Sequence, residues 1–325
     1  LKGHTGSWAE HRLHTAYRRE WKKHFGSTEF ACVIHYNGYE AYTTSLLEEA
    51  PCPRSIWIHN DMAREVHLKG NMNPYLLKEA YHTYDHIVPV SEDLIQPVVS
   101  EFGADRSRIT VIHNCHDYQS VLERSLAPVA FNEDTLSNVS LETLQSVLDS
   151  DAPKFISIGR FSPEKGHKRL LDAFEQYWKE HPDTWLIIIG GVGDLYDETL
   201  AHTRALRASD HIILIRAVTN PMPILKRCDL FLLSSYYEGQ GIVLMEAATL
   251  GGPGMACDVS GCHSFLKKYG GLLLEDSEAG LLHGMQLFAE GKVLPLNIDA
   301  ERINHTSAAQ VEALIAGDIH ISPQN

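Results

Sequence analysis

The sequence lacks long apolar runs, an excess of positive charge and paired cysteines. Its longest apolar stretches have the length of a strand and fall well short of the ~20 residues that cross a bilayer. Lysine and arginine number 28 against 42 aspartates and glutamates, whereas non-specific nucleic-acid binding needs a basic surface. The six cysteines include no Cys-x-x-Cys pair, which is typical of reduced thiols. These absences predict a cytoplasmic protein without a nucleic-acid partner.

Motifs of several other enzyme classes are also missing. There is no Gly-x-Ser-x-Gly elbow and no Walker sequence. Gly191-x-Gly193 lacks the third glycine of a dinucleotide fingerprint, which argues against a dehydrogenase. The run from His113 to Asp117 holds four candidate metal ligands, but such close spacing rarely gives tetrahedral geometry. We therefore expect neither a resident metal ion nor an organic cofactor.

What the sequence does contain is an alternation of short apolar runs with helical patterns, as in parallel α/β architectures. Its 325 residues are enough for two domains. The predicted strands of the first half are 30–36, 55–59, 86–90 and 108–113, and the helices are 7–25, 39–50, 73–84 and 92–102. In the second half the predicted strands are 154–159, 185–190, 211–215 and 230–234, and the helices are 167–180, 195–207 and 242–250. Two α/β domains in tandem follow from this pattern.

The pattern also predicts where the domains begin and end. Its segments are an N-terminal Rossmann-like domain (1–120), a linker with one helix at 140–149 (121–152), a C-terminal Rossmann-like domain (153–297) and a terminal helix that is expected to cross back to the N-terminal domain (298–325). A Rossmann domain normally opens with a strand, whereas this chain opens with the charged helix 7–25. We therefore expect a truncated N-terminal domain with an exposed sheet edge, which favours homo-oligomer formation.

The strongest chemical signal is Ser235-Tyr-Tyr-Glu238-Gly-Gln-Gly241-Ile-Val-Leu-Met-Glu246-Ala. Two glutamates flank a Gly-x-Gly turn that leads from a strand into an apolar helix. Free N–H groups and the positive end of the helix dipole favour an anion there, and glycine lets a ligand approach the backbone. Glu238 would lie outside the carboxyl end of its strand, where open α/β sheets bind ligands. The alternative is an ordinary strand-to-helix turn with two solvated acids.

A second signal is the basic loop Gly159-Arg160-Phe-Ser-Pro-Glu-Lys165-Gly166-His167, which also follows a strand. Two cations at a strand end suit a diphosphate, because arginine offers a planar fork and lysine a point charge. Basic loop residues are more often merely solvated. This loop indicates a diphosphate site only in combination with the carboxylate motif in the same domain.

Together with the turn Gly190-Gly-Val-Gly193, these motifs resemble the GT4-type family of retaining glycosyltransferases (group 1), over residues 30–316. The resemblance implies a GT-B fold, in which two Rossmann-like domains face each other across a cleft. It implies that Arg160 and Lys165 bind the donor diphosphate and that Glu238 orients hydroxyls of the donor sugar. Gly241 and Ile242 would help to hold phosphate through their amides, and Glu246 would bind the ribose.

The resemblance extends to other parts of the chain. The segment Ile215-Arg-Ala-Val218 matches the part of the family that lies along the nucleotide base. His59, in Ile58-His59-Asn-Asp61, resembles the N-domain histidine that faces the donor sugar, although a strand-end histidine with a structural hydrogen bond is the alternative. The chain departs from the family at two places. The family's usual Asn-Gly-Val-Asp at the hinge between the domains is replaced by Asn114-Cys-His-Asp117, and the family's glycine-rich loop after the first strand has no match in this sequence.

The resemblance therefore implies a hexosyltransferase-type glycosyltransferase (EC 2.4), with His59, Glu238, Arg160 and Lys165 as catalytic residues. We expect a UDP- or GDP-linked sugar as donor, and a glycan, lipid-linked or polyol-phosphate acceptor in cell-surface polysaccharide or wall-polymer synthesis. The sequence near His59 is similar to that of glycosyltransferases from bacterial wall and teichoic-type polymer pathways. Association with the inner face of the membrane is a further expectation. The alternatives are a catalytically impaired sugar-nucleotide-binding protein and another GT-B enzyme, such as an epimerase or a phosphorylase.

Overall fold

The structure is a computed structural model that describes residues 7–69, 73–191 and 193–318. The chain divides into two compact units: the first comprises Leu1–Cys115 and Ile303–Asn325, and the second comprises His116–Arg302. Each unit is an α/β structure built on a sheet whose strands are parallel except for one edge strand of the second unit, in line with the α/β pattern of the sequence. No helix in the described ranges is both long enough and apolar enough to span a membrane.

The first unit carries a three-stranded parallel sheet in the order β1-β2-β3. Its elements up to residue 115 are α1 (Ser7–Phe25), β1 (Val33–His35), α2 (Ala41–Leu47), β2 (Arg54–Ile58), α3 (Met62–Lys69), α4 (Pro74–Thr83), β3 (His86–Pro89) and α5 (Ile95–Phe102). Strand β2 lies in the centre and is apolar along most of its length, and Ile56 and Ile58 are fully buried there. Burial on both faces is the usual environment of a parallel strand.

The predicted strand 108–113 is wrong for a physical reason. Thr110 and Ile112 donate backbone hydrogen bonds to the carbonyls of Ile87 and Pro89, but only an isolated bridge forms, between Ile87 and Ile109. The next rung of a parallel ladder would need an N–H from Pro89, and proline has none. The segment therefore runs beside β3 without becoming a fourth strand.

The second unit carries a seven-stranded sheet in the order β10-β9-β8-β5-β6-β7-β4. Its elements are α6 (Tyr118–Arg124), β4 (Leu136–Ser137), α7 (Leu141–Asp149), β5 (Lys154–Ile158), α8 (His167–Trp178), β6 (Trp185–Gly190), α9 (Tyr196–Ala205), β7 (Ile212–Arg216), α10 (Met222–Leu225), β8 (Leu230–Leu233), α11 (Ile242–Thr249), β9 (Gly254–Cys257), α12 (His263–Tyr269), β10 (Leu272–Leu274) and α13 (Glu278–Ala289). The last helix, α14 (Ala300–Ala316), belongs to the first unit from Ile303 onward.

The segment expected as a linker, 121–152, is part of the second unit. Strand β4 within it pairs antiparallel with β7 and forms an edge of the sheet. Asn138 extends this pairing, because its side-chain amide donates to the carbonyl of Ile212 and accepts from the N–H of Leu214, both at 2.8 Å. A strand of two residues is too short to show the alternation of apolar and polar residues from which strands are predicted. The sequence analysis therefore did not predict β4.

Candidate functional site

The order of strands in the second sheet determines where its loops meet. Strand β5 has β6 on one side and β8 on the other. The sheet is therefore extended in opposite directions from β5, which is the switch point where open α/β sheets bind ligands. The loop after β5 holds Arg160 and Lys165, and the loop after β8 holds Glu238. The two sequence motifs are thus brought to the same edge of the sheet.

The loops after β5 and β8 are joined by their backbones. The hydroxyl of Ser234 donates to the carbonyl of Lys165 at 2.9 Å, and the N–H of Tyr236 donates to the carbonyl of Glu164 at 2.8 Å. Gly166 has a φ of +64°, and a Cβ there would lie 2.3 Å from the carbonyl oxygen of Ser234. Only glycine combines this left-handed conformation with such a close approach.

Lys165 and Glu238 form an ion pair within this junction. The Lys165 Nζ lies 2.7 Å from Glu238 Oε1, and both side chains are mostly buried. The hydroxyl of Ser235 donates to the same carboxylate oxygen at 2.5 Å. The Glu238 N–H donates to the carbonyl of Ser260 at 3.0 Å. Lys165, predicted to bind the diphosphate, and Glu238, predicted to bind the sugar, are therefore in direct contact.

Arg160 lies on the same loop and is also paired. Its guanidinium donates to Glu164 Oε1 at 2.8 Å; the Arg160 side chain is 60% exposed, whereas the Glu164 side chain is buried. Because the Arg160 head group is mostly exposed and a guanidinium has five N–H donors, it can contact a further anion while it keeps its bond to Glu164. Glu164, which the sequence analysis did not single out, holds the arginine at the strand end.

Helix α11 begins directly after the loop that carries Glu238. Gly241 precedes it with a φ of +64°, and Ile242, its first residue, is half exposed. The first N–H groups of a helix have no partner within it, so this end of α11 can hold an anion. Glu246 lies one turn further on and is half-buried. Burial raises the pKa of Glu246, while the charge of Arg124 acts to lower it.

Arg124 connects Glu246 with the segment that contains Val218. Its guanidinium donates to the carbonyl of Thr219 at 3.3 Å, and its own carbonyl accepts from the Asn220 side chain at 2.9 Å. Val218 itself is half-buried. The sequence analysis missed Arg124 because it lies in α6, within the predicted linker, and its partners are more than 90 residues away.

His59 lies in the first unit, directly after β2. Its ring packs edge-on against Tyr36, with centroids 4.5 Å apart. Burial lowers the pKa of His59, and a hydrogen bond with the Tyr36 backbone only partly opposes this. The imidazole is therefore neutral at neutral pH. Its role toward a donor sugar stays a prediction.

Two of the four candidate metal ligands between His113 and Asp117, the histidines, have structural partners. His113 Nδ1 lies 3.0 Å from the carbonyl of Val90, and His116 Nε2 lies 2.8 Å from the hydroxyl of Thr249. Within 7–69, 73–191 and 193–318, no group of three or more His, Cys, Asp or Glu side chains is placed to share a metal ion. An Asp-x-Asp sequence, 149–151, ends α7 and leads into the start of β5, away from the site at the carboxyl end of that strand.

Comparison with known proteins gives a family match in the second unit. Residues 142–294 match the family described as glycosyl transferases group 1. One similar curated protein is the N-acetylgalactosamine-N,N'-diacetylbacillosaminyl-diphospho-undecaprenol 4-alpha-N-acetylgalactosaminyltransferase of Campylobacter jejuni, which is 24% identical over 74% of this chain and 56% of its own length. The chain spans about half the length of the curated relatives it matches.

Solved structures of glycosyltransferases share the fold. HepE from Anabaena, solved with UDP and glucose, aligns with a TM-score of 0.64 at 16% identity, over 84% of this chain and 74% of its own. A variant of TarM from S. aureus, solved with fondaparinux, alpha-GlcNAc-glycerol and UDP, aligns with a TM-score of 0.64 at 14% identity, over 93% of this chain and 58% of its own. Both support the GT-B fold expected from the sequence.

Proposed function

We propose that the protein transfers a sugar from a nucleotide-diphosphate sugar to an acceptor hydroxyl, because residues 142–294 match the family described as glycosyl transferases group 1. The single observation that carries the proposal is the Lys165–Glu238 pair at the switch point of the second sheet. It places a cation for the diphosphate and a carboxylate for the sugar hydroxyls within one hydrogen bond of each other.

Lys165 and Arg160 would neutralise the charge that develops on the departing diphosphate. Such preorganised electrostatic stabilisation is usually the largest contribution to catalysis. In the structure both cations are held by carboxylates, Lys165 by Glu238 and Arg160 by Glu164. Donor binding would therefore add phosphate oxygens to existing ion pairs, and the amides at the start of α11 would supply further donors.

The remaining residues would fix the nucleoside. Glu246 would accept hydrogen bonds from the ribose hydroxyls, and the Val218 segment would lie along the base. Arg124 supports both assignments, because it interacts with the Glu246 charge and bonds the carbonyl of Thr219, next to Val218. We propose transfer with retention of configuration, in which the leaving diphosphate helps to take the acceptor proton, and we keep His59 as a proposed catalytic residue.

Cell-surface polymer synthesis at the inner face of the membrane is the proposed setting. Two relatives support polymer synthesis by their names: the diphospho-undecaprenol-linked transferase described above and a Vi polysaccharide biosynthesis protein of Salmonella typhi, 25% identical over 59% of this chain. A lipid-linked diphosphate, a growing glycan and a polyol phosphate are the acceptor classes to be tried.

The test is a product assay with UDP- and GDP-sugars against these three acceptor classes, with nucleoside diphosphate release and product mass as readouts. The proposal expects acceptor-dependent release and a product heavier by one sugar residue. Donor binding without any transfer would overturn it in favour of an impaired binding protein. Failure of all nucleotide sugars and nucleoside diphosphates to bind would overturn the donor site as well.

A further inference from the structure

Arg169 is a buried cation at the candidate site that the sequence motifs do not include. It lies in the first turn of α8, three residues after Gly166, and it is 8% exposed. Arginine is rarely buried unless it is paired, so its partners indicate what it stabilises.

The Arg169 guanidinium contacts two adjacent backbone carbonyls and one carboxylate. Its Nε donates to the carbonyl of Ser234 at 2.7 Å and its Nη2 donates to the carbonyl of Ser235 at 2.6 Å. Its Nη1 donates to Asp276 Oδ1 at 2.6 Å, in the turn between β10 and α13. The guanidinium carbon also lies 3.9 Å from the ring centre of Tyr236. Arg169 therefore joins α8 and the β10–α13 turn to the loop that carries Glu238.

The contacts form a continuous path to the ion pair. The Ser235 carbonyl accepts a hydrogen bond from Arg169, and the Ser235 hydroxyl donates one to Glu238 Oε1, the oxygen that Lys165 also contacts. A planar guanidinium suits two adjacent carbonyls, and lysine, as a point charge, cannot reproduce this fork. Both serines are fully buried, and an unsatisfied buried carbonyl is costly. The loop conformation is thus tied to the arginine.

We propose that Arg169 is a positioning residue for Glu238. It fixes the conformation of the 234–238 loop, so that the Glu238 carboxylate can contact the donor sugar while it remains bonded to Lys165. The inference deepens the proposed function and rests on it for its catalytic consequence. Arg169 acts through Ser235 and needs no contact with the substrate. Loss of the arginine should impair the chemical step more than the binding of a nucleoside diphosphate, which carries no sugar for Glu238 to orient.

A matched control lies at the opposite end of β5. Lys154 is also buried, and its Nζ donates to the carbonyls of Ser150 and Ala152 at 2.9 and 2.7 Å, with Asp229 3.8 Å away. Lys154→Met therefore removes a buried cation from two backbone carbonyls and an aspartate, as Arg169→Met does, but far from the candidate site. It separates loss of stability from loss of positioning.

The experiment compares Arg169→Met, Arg169→Lys and Lys154→Met with the parent chain. Hydrogen exchange of the 234–238 amides is measured first, followed by kcat, donor KM and the Kd of the nucleoside diphosphate alone. We expect faster exchange in the 234–238 loop and a kcat reduced by about 10- to 100-fold for Arg169→Met, with an intermediate result for Arg169→Lys. The nucleoside diphosphate Kd should stay within about twofold, and Lys154→Met should lower only the unfolding temperature.

Unchanged exchange in the 234–238 loop of Arg169→Met would overturn the positioning role, whether or not the parent chain shows transferase activity. Equal kcat losses in Arg169→Met and Lys154→Met would also overturn it, because a general loss of stability would then explain both. If the parent chain transfers no sugar, the proposed function fails, while the exchange measurement still decides the role of Arg169 in the loop.

Discussion

The Nζ of Lys165 lies 2.7 Å from Oε1 of Glu238, across the junction between the loops that follow β5 and β8. The two residues are 73 positions apart in the sequence, and each belongs to a separate motif. The contact joins these motifs into one site. In the proposed function Lys165 would bind the diphosphate while its charge is already shared with the carboxylate of Glu238.

We expect Lys165→Ala and Arg160→Ala each to weaken donor binding and turnover. A hydrogen bond to a charged group contributes about 1.5–3 kcal/mol, which corresponds to roughly a 10- to 150-fold loss in kcat/KM. Lys168→Ala is the matched control, because this neighbouring lysine is 71% exposed and pairs with Asp172. Titration calorimetry and steady-state kinetics provide the measurement. Parent-like transfer by both site variants would show that the diphosphate lies elsewhere.

The two glutamates of the carboxylate motif should differ in their kinetic effects. Glu246→Gln should mainly raise the donor KM, because a ribose contact is equally strong in the ground and transition states. Glu238→Gln should mainly lower kcat, because in the proposed function its carboxylate would orient the reacting sugar. Glu290→Gln, an exposed glutamate paired with Lys292, is the control and should change neither value. The roles are contradicted if kcat and KM change in the same way in both site variants.

Donor affinity should depend on pH through Glu246. Burial raises its pKa against the opposing charge of Arg124. The carboxylate therefore gains a proton, and loses its acceptor capacity for the ribose, at a higher pH than an ordinary glutamate near 4.3. We expect the donor KM to rise on the acidic side in the parent chain and in Glu290→Gln. This rise should be absent in Glu246→Gln, and the assignment is wrong if that variant keeps the full acid dependence.

Glu48 should make the stability of the first unit depend on pH. Its carboxyl is buried and accepts from the Thr83 hydroxyl at 2.9 Å. Burial raises its pKa to about 7, aided by Glu79 and Glu49 and opposed by the Thr83 bond and His14. The folded state keeps the proton that the unfolded chain releases near pH 4.3, so stability falls as the pH rises from there through 7.

Glu48→Gln should remove this dependence. At pH 8 we expect the variant to be more stable than the parent by about 1–3 kcal/mol, since each pKa unit corresponds to 1.36 kcal/mol. Chemical denaturation at pH 5 and pH 8 measures the difference, and Glu101→Gln, a change at an exposed position, should leave it as in the parent. A Glu48→Gln variant less stable than the parent at pH 8 would show that the carboxylate is accommodated in its ionised form.

The sequence predicted those parts of the fold that rest on local pattern. Strands β5 and β6 are mostly apolar runs that end at Gly159 and Gly190. The loop after β5 carries Arg160 and Lys165, and the loop after β8 carries Glu238. Pairing that depends on single groups was not predictable: Pro89 prevents a fourth strand in the first sheet, and Asn138 completes the β4 edge through its side chain.

The candidate site was predictable as a set of motifs, but the contacts between them were not. Arg169 and Arg124 bond to backbone carbonyls 65 and 95 residues away. No sequence pattern specifies a carbonyl as a partner, because every residue has one. The signal that could have drawn attention to Arg169 is a charged residue on the mostly apolar, buried face of α8.

A crystal structure of this chain with a bound nucleoside diphosphate tests the central claim most directly. The account predicts phosphate oxygens within hydrogen-bond distance of Lys165 Nζ, the Arg160 guanidinium and the first amides of α11, with the ribose hydroxyls on Glu246. A nucleotide bound away from the β5–β8 switch point, or phosphates without contact to either cation, would contradict it.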